Sequence, residues 1–225
     1  MVVAAAAAIV TSPTAYQAML MATEDPSPTG EGSSHIRHAA GLRKAFRLLN
    51  SFMVPMWRLG LGGMLNAWPT VGGRFMVLVH RGRRSGREYR TPLNYAAVDG
   101  HLYCLAGFGP ATDWYRNALA APRVEVWLPD GWWQAKAVDA SGVPERIALM
   151  RSVMIGSGFA AYAAGIDPRR WSDARLEEKT RDYRLLRLER TAARTGAGGP
   201  GDLAWMWPAA STLLSIALWR RRPNP

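Results

Sequence analysis

The chain has 225 residues, of which 48% are hydrophobic, enough for one ordinary domain with appendages or for two small domains. Its formal net charge of +11 comes mainly from arginine and favours an anionic partner: nucleic acid, acidic lipid, or a small molecule carrying phosphate or carboxylate. Cys104 is the only cysteine, which excludes an intrachain disulfide and any metal site built from several cysteines.

The first 35 residues are predicted to be an appendage to the folded domain. Residues 1–22 are mostly apolar but lack the positively charged start of a secretory signal. Residues 23–35 are rich in proline, glycine and serine, a composition typical of disorder. We therefore predict a disordered or apolar appendage over 1–35, followed by a folded domain over 36–192.

A helical region opens the domain and strands follow it. Apolar residues at three- and four-residue spacing predict helix within 36–66. Runs rich in β-formers predict three strands, over 74–80, 89–98 and 101–107. The pair Asp99–Gly100 between the last two is a strong hairpin signal, because both turn residues must tolerate a positive φ.

A short helix and a second hairpin come next. Thr112 is a candidate N-cap, and Pro122 ends this helix after about two turns. The sequence PDG at 129–131 then joins two further strands, predicted over 123–128 and 132–138.

Two helices, over 144–157 and 171–180, and a last strand over 182–190 complete the domain. Short, turn-linked strands with one inserted helix predict a fold that is mainly β with helices (α+β). About six mostly antiparallel strands are expected to form a small barrel. A doubly wound parallel sheet is not supported, because strands and helices do not alternate.

The C-terminal segment, 203–225, is predicted to be a separate apolar helix with a basic flank. Residues 193–202 include TGAGGPGD and are predicted to form a flexible glycine-rich linker. Positions 203–219 carry no charge, have tryptophans at both ends and precede Arg220–Arg222. A core helix is the alternative. Membrane association is favoured: 17 helical residues span about 25 Å of a core near 30 Å, and the tryptophans and arginines can make up the difference. Flat insertion is favoured over crossing, because a crossing would put the domain and the basic C-terminus on opposite faces of the membrane.

The stretch from Arg81 to Arg90 carries five arginines against the single Glu88. Backbone N–H groups around Gly82 and Gly86 can approach an anion closely, and arginine adds bidentate contacts to phosphate or carboxylate. GRRSG is not a Walker loop, because the GK[ST] ending is missing. These residues alone leave two interpretations open, an anion site and a solvated exposed loop.

Two separated blocks resemble the deazaflavin-dependent nitroreductase family. They are GRRSGREYRTPLNY at 82–95 and DWYRNALAAPRVEV at 113–126, and the similarity covers roughly residues 40–190. Members of that family are split β-barrel oxidoreductases. They use coenzyme F420, a flavin-like carrier whose tail bears a phosphate, a lactyl carboxylate and a glutamate chain. The resemblance implies a split β-barrel and F420 for this chain, with FMN as the runner-up.

The resemblance also implies which residues bind the coenzyme. The basic loop is expected to hold the acidic tail, and the second block with the turn before it is expected to line the deazaflavin ring. The residues so implied are Arg83, Arg84, Ser85, Gly86, Arg90, Pro92, Ala106, Gly107, Phe108, Gly109, Trp114 and Asn117. Tyr89 stands where some members carry arginine, and Phe108 where some carry lysine.

A deazaflavin transfers hydride from its ring carbon, so the protein needs to position reactants and not to supply a nucleophile. Tyr95 and Tyr162 are the candidate catalytic residues, as proton donors, with aromatic packing as the alternative for each. No G-x-S-x-G, H-E-x-x-H or paired histidine spacing supports a hydrolase or a metal site.

The leading hypothesis is an F420-dependent oxidoreductase that reduces an electron-poor small molecule, namely a quinone, an enone or a nitro compound. The alternatives are a split-barrel protein that binds FMN or haem, and a non-catalytic basic protein that binds nucleic acid or a lipid surface. The leading hypothesis implies a cytoplasmic enzyme with no nucleic-acid partner. The C-terminal helix adds the inner face of the cell membrane as a partner, and a homodimer stays open.

Overall fold

The computed structural model of the chain describes residues 51–67, 69 and 72–220, and for residue 220 the backbone alone. The predicted appendage over 1–35 and the first part of the helical region over 36–66 lie outside the described residues. Residues 51–58 are helical, and a short helix, α1, spans Gly62–Leu65. Trp57, on the first of these helices, is buried against the sheet.

Seven antiparallel strands form one sheet, in the order β2-β1-β5-β6-β7-β4-β3. The strands are β1 (Phe75–Arg81), β2 (Glu88–Asn94), β3 (Ala96–Val98), β4 (His101–Ala106), β5 (Arg123–Leu128), β6 (Gly131–Asp139) and β7 (Arg184–Arg194). The predicted class, mainly β with helices, is confirmed.

Both predicted hairpins are confirmed. β3 and β4 pair with Val98 opposite His101, and the two turn residues, Asp99 and Gly100, have φ of 49° and 79°. The turn between β5 and β6 places Gly131 at a φ of 140°, which only glycine adopts readily. These turns join the strands at the positions where the sequence predicts them.

The sheet closes on itself at Tyr95. The strand predicted over 89–98 is divided there into β2 and β3, which gives seven strands instead of about six. β2 and β3 stand at opposite edges of the sheet, yet Tyr95 alone separates them along the chain. The sheet must therefore curl until its edges meet, and β2 also contacts β4, the neighbour of β3. The result is the split β-barrel that the resemblance implies.

Alternation along β1 separates the inside of the barrel from the outside. Met76 and Leu78 belong to the interior cluster, whereas Val77 and Val79 belong to an outer cluster. This outer tryptophan cluster also contains Trp57, Trp127 and Trp132, all buried. Residues that pair directly across β1 and β2 point to the same side, so the register of the two strands gives the side that each β2 side chain faces.

Four helices pack against the barrel. They are α2 (Asp113–Ala120), α3 (Arg146–Gly156), α4 (Phe159–Ala163) and α5 (Asp173–Lys179). α2 contacts β1 and β6, and α3 contacts β3 and β4. The helices predicted over 144–157 and 171–180 are confirmed as α3 and α5, each with slightly shorter bounds.

The segment 195–202 differs from the flexible linker that its glycine content predicts. The backbone nitrogen of Gly201 donates to the carbonyl oxygen of Trp57 at 2.9 Å. A Cβ added at Gly199 would lie 2.3 Å from the ring of Trp132, so this glycine permits close packing on the outer tryptophan cluster. The last helix, α6 (Met206–Arg220), follows. Within the part of the chain that the structure describes, no helix is long and apolar enough to cross a membrane.

Candidate functional site

The basic loop, residues 82–87, joins β1 to β2 and is closed by its own backbone. The nitrogen of Gly82 donates to the carbonyl oxygen of Arg87 at 2.8 Å, and the nitrogen of Gly86 donates to that of Gly82 at 2.8 Å. Gly86 has a φ of 66°. A Cβ added at Gly82 would lie 2.6 Å from Oγ of Ser85. Both glycines of the motif therefore allow a tight turn. Gly86 adopts a positive φ, and Gly82 leaves the space that Ser85 needs.

Arg83 fastens the basic loop to α2. Its backbone nitrogen and its Nη1 donate to Oδ1 of Asn117, at 3.1 and 2.9 Å. Nη1 also donates to Oδ1 of Asp113 at 2.9 Å, which forms an ion pair. Asn117 is buried. Arg83 and Asn117, both predicted to bind the coenzyme, thus bind each other and position the loop.

The remaining arginines of the loop project into solvent. Arg84 and Arg87 are exposed and form no ion pair with any residue that the structure describes. A guanidinium without a protein partner is available for a phosphate or carboxylate. The geometry therefore divides the cations of the loop into one that positions it, Arg83, and two that can meet an anion.

Aromatic and hydroxyl contacts support the loop from β2. The hydroxyls of Ser85 and Tyr89 lie 3.3 Å apart, and the Tyr89 ring stacks on His80 with the ring centres 5.8 Å apart. Nε2 of His80 lies 3.0 Å from Oγ1 of Thr91. Tyr89, which stands where some members of the family that the sequence resembles carry arginine, therefore supports the loop by packing and hydrogen bonding.

His80 is buried beneath this contact and is held neutral. Its exposed fraction is 4%, and its Nδ1 has no hydrogen-bond partner among the described residues. Burial lowers the pKa of His80 from 6.5 to about 4, because a charged ring would lose its hydration. The residue is thus a structural member of the barrel at neutral pH.

The turn after β4 lies beside the basic loop, because it leads directly into α2. Gly109 has a φ of 78°, and its carbonyl oxygen accepts a hydrogen bond from Oγ1 of Thr112 at 2.7 Å. Thr112 is the N-cap residue of α2, as predicted, but its hydroxyl bonds back to the turn and not to the helix. Phe108 is 47% exposed on this turn. Ala106, at the end of β4, is buried in the barrel interior.

An apolar surface thus lies next to the cationic one. Trp114, on the first turn of α2, is half-buried and packs on the interior cluster beside Tyr115. Gly107 lies against the ring of Tyr183, 3.6 Å from a Cβ added at Gly107. Glycine at this position leaves room for a flat ligand to approach the backbone closely.

Of the two predicted catalytic tyrosines, one reaches the barrel interior. Tyr95 follows the end of β2 away from the basic loop, about 20 Å along the strand, and its half-buried ring packs on the interior cluster. Burial raises the pKa of Tyr95, so its hydroxyl keeps its proton at neutral pH. Tyr162 lies on α4, whose Ala161 packs in a separate cluster with α3 and α5. The structure does not bring Tyr162 to the loop.

Arg90 and Pro92 face the other side of the sheet. They pair with Val79 and Val77 of β1, whose side chains point to the outer tryptophan cluster. Nη2 of Arg90 bonds to Glu88 at 2.8 Å and to the carbonyl oxygen of Gly198 at 3.3 Å. Strand alternation therefore separates these two predicted coenzyme contacts from the loop, and Arg90 ties the C-terminal segment to the barrel.

Two residues of this region were not predicted as site residues. Asp113, an acidic residue in the first turn of α2, is the ion-pair partner of Arg83. Tyr183 reaches Gly107 because β7 pairs with β4, with Ala106 opposite Arg184. Burial raises the pKa of Tyr183. The sequence places Tyr183 at the start of the last predicted strand, but only the pairing of that strand with β4 brings it to Gly107.

Similarity to known proteins is clearer in the sequence than in the structure. A family model described as F420H(2)-dependent quinone reductase matches residues 57–169, half of the chain. None of the curated proteins matches the chain. Among solved structures, an F420-H2 dependent reductase, FDR-A, has 24% identity and a TM-score of 0.37, over 52% of this chain and 94% of that one.

Two further structures are similar at the same level. The conserved hypothetical protein Rv2991 from Mycobacterium tuberculosis has 17% identity and a TM-score of 0.39, over 60% of this chain and 79% of that one. A chain described as a domain-swapped dimer has 21% identity and a TM-score of 0.39, over 52% and 80%. These low TM-scores assign no role to any residue.

Proposed function

The chain belongs to the F420H(2)-dependent quinone reductase family and is an F420-dependent oxidoreductase, and on this premise we propose that its acceptor is a quinone. Enones and nitro compounds share the electron-poor carbon or nitrogen that accepts a hydride, and they are the other acceptors to test. The observation that carries the proposal is the pairing of a clamped cationic loop with an apolar surface at the same end of the barrel.

The residues present fit the coenzyme's acidic tail. Arg84 and Arg87 are exposed cations on a loop that Arg83 holds in place through Asn117, so little freedom is lost when an anion binds. Ser85 adds a hydroxyl and Gly86 an open backbone at the same turn. We propose that these four residues bind the phosphate and carboxylates, with Arg83 as their positioning residue.

The residues present also fit a flat ring. Phe108 offers exposed apolar surface, Gly107 leaves the backbone accessible, and Trp114 forms the neighbouring wall. When bound, the reduced coenzyme supplies the hydride. The protein's part is to orient the ring, to exclude water from it and to provide a proton for the reduced acceptor.

Two tyrosines are proposed as proton donors. Tyr183 lies against Gly107, beside the proposed ring site, and Tyr95 faces the barrel interior. Burial raises the pKa of both, which keeps the proton on the oxygen at neutral pH until the acceptor becomes basic. Tyr162 remains the third candidate, although its position on α4 is remote from these contacts.

Two measurements test the proposal. Titration with F420, with FMN as the competitor, tests the cofactor, and F420 is expected to bind more tightly because FMN carries a shorter anionic tail. A steady-state assay with reduced F420 and a panel of quinones, enones and nitroaromatics tests the acceptor, and quinones are expected to give the highest kcat/KM. A higher kcat/KM for nitroaromatics than for every quinone would overturn the proposed acceptor.

We also propose that the enzyme works on the cytoplasmic side of the cell membrane, in contact with its inner face. The support is the exposed apolar helix α6 followed by three arginines in the sequence. A quinone carried in lipid would then be reached where it is dissolved.

A further inference from the structure

The helix α6 exposes apolar side chains over its whole length. Every residue from 205 to 219 is exposed. The large hydrophobic side chains among them are Trp205, Met206, Trp207, Leu213, Leu214, Ile216, Leu218 and Trp219. A helix that is apolar over most of its circumference normally packs inside a protein or in lipid, since water cannot solvate such a surface cheaply.

The polar residues of α6 are few and satisfied within the helix. Oγ1 of Thr212 donates to the carbonyl oxygen of Pro208, and Oγ of Ser215 donates to that of Ser211, each at 2.8 Å. Ser211 and Ser215, four residues apart, lie on one side of the helix, and Thr212 lies three residues from Ser215. Leu213 lies on the opposite side, whereas Leu218 and Trp219 follow Ser215 by three and four residues and lie beside the hydroxyls. The helix thus has a narrow hydroxyl stripe and no charged side chain between Met206 and Trp219.

The N-terminal end of α6 and the residues just before it are bound to the rest of the domain, and we call the ion pair among these contacts the Arg58–Asp202 clasp. The carboxylate of Asp202 pairs with the guanidinium of Arg58 at 2.8 Å, and Nε1 of Trp207 donates to the carbonyl oxygen of Leu59 at 2.9 Å. The backbone nitrogen of Leu203 donates to the carbonyl oxygen of Arg58 at 2.9 Å. The hydrogen bond from Arg58 lowers the pKa of Asp202, so the pair stays charged near neutral pH. These contacts fix the direction in which α6 leaves the barrel.

We propose that α6 lies flat in one leaflet of an anionic bilayer, with its apolar side chains in the lipid, and that the Arg58–Asp202 clasp sets the orientation of the barrel on that surface. Charge selects the occupant: the sequence continues with Arg220, Arg221 and Arg222, which can pair with acidic headgroups, while the helix itself offers only apolar surface. At about 22 Å, its 15 residues are shorter than a hydrocarbon core of about 30 Å.

This inference deepens the proposed function, since a lipid-soluble quinone would be collected from the same leaflet, but it can fail separately. Flotation of the full chain with phosphatidylcholine vesicles, with and without phosphatidylglycerol, needs no coenzyme. We expect binding to the anionic vesicles, weakened when salt rises from about 0.1 M to about 0.5 M. F420 affinity and quinone reduction, both measured without vesicles, report on the proposed enzymatic activity alone.

Two variants test the surface itself. Leu213→Glu together with Leu214→Glu is expected to lower vesicle binding roughly tenfold or more, because two exposed side chains could no longer enter the lipid. Met64→Glu is the matched control: Met64 is 64% exposed on α1, outside α6, and its replacement should change nothing. Circular dichroism confirms that each variant folds. Replacing Arg220, Arg221 and Arg222 by Gln should remove the preference for the anionic vesicles.

The clasp is tested by Asp202→Asn, with Asp130→Asn, which alters another ion pair with an arginine, as control. Neutron reflectometry on a supported anionic bilayer should show a defined protein layer for the full chain and the control. A broader layer is expected for Asp202→Asn, which should still bind. An unchanged layer would remove the clasp from the proposal. Absence of vesicle binding by the full chain would overturn it, as would lipid-free dimers that Leu213→Glu with Leu214→Glu abolishes, since α6 would then pack on a second copy.

Discussion

Oδ1 of Asn117 accepts two hydrogen bonds from Arg83, one from the backbone nitrogen and one from Nη1, across 34 positions of sequence. One buried atom of α2 therefore determines where the basic loop stands. The two sequence blocks that carry the family resemblance are thus a single structural unit, in which the second block positions the first.

Asn117→Ala should destabilise the protein by roughly 1–3 kcal/mol, because the part-buried backbone nitrogen of Arg83 loses its acceptor. F420 affinity should fall as well, since the loop would no longer be held. Urea unfolding gives the first quantity and a fluorescence titration the second. Arg116→Ala, an exposed neighbour on α2, should stay within about 0.5 kcal/mol of the native chain. Equal stability of the two variants would contradict the clamp.

Arg84→Ala should weaken F420 binding by about ten- to a hundredfold without lowering thermal stability. The physical reason is the loss of a charge-assisted contact, worth on the order of 1.5–3 kcal/mol, by a side chain that pairs with no described residue. Arg123→Ala serves as control, because Arg123 is exposed at the start of β5 and outside the loop. If both substitutions reduce affinity alike, only the overall charge matters and the loop has no special role.

Gly82→Ala should distort the basic loop. Its Cβ would lie 2.6 Å from Oγ of Ser85 and 2.7 Å from the ring of Tyr89, closer than either contact permits. We expect a loss of about 1–3 kcal/mol in stability and a weaker affinity for F420. Gly142→Ala has open space at its Cβ and should change neither measurement. A native affinity in Gly82→Ala would mean that the turn tolerates rearrangement.

His80 should make the protein sensitive to mild acid. The unfolded chain takes up a proton near pH 6.5, whereas the folded chain resists protonation of His80 until about pH 4. Stability is therefore unaffected above pH 6.5 and falls as the pH drops through this interval, by roughly 3 kcal/mol in total. Urea unfolding at several pH values, compared with His80→Gln, isolates this contribution. A variant that loses as much stability between pH 6.5 and 4 as the native chain would show that His80 is not its source.

Tyr183→Phe should lower kcat by about a hundredfold while F420 affinity stays unchanged, if Tyr183 supplies the proton to the reduced acceptor. Tyr95→Phe tests the second donor, and Tyr162→Phe, on α4, should keep native kcat. The pH profile of kcat separates the roles, because loss of a donor flattens its basic limb. A large effect of Tyr162→Phe alone would transfer the proton donor to α4.

Local signals in the sequence predicted the local parts of the fold. Asp99–Gly100 and the PDG turn located both hairpins, and Pro122 marked the end of α2. These predictions succeed because turn chemistry depends on neighbouring residues alone. The break at Tyr95 had no such signal, because it depends on distant strands. β2 pairs with β1 and β3 pairs with β4, so the two parts of the predicted strand lie at opposite edges of the sheet.

The site was predicted less completely, for a physical reason. A strand has two sides, and the sequence does not say which side faces the coenzyme. Tyr89 and Arg90 are neighbours, yet one braces the loop while the other bonds to Gly198 on the outer face. Similarly, the glycines of the segment 195–202 predicted a flexible backbone, whereas at Gly199 a larger residue would collide with the ring of Trp132. Only tertiary contacts decide such cases.

The packing of the segment 195–202 on the outer tryptophan cluster also determines when the domain can be completed during synthesis. Trp57 leaves the ribosome well before its backbone partner Gly201 is made, and β4 must wait for β7. Contacts of such long sequence separation form slowly and leave apolar surface open meanwhile. A nascent chain that stalls before Gly199 would display Trp132 uncovered. Such a fragment would expose apolar surface of the kind that chaperones bind.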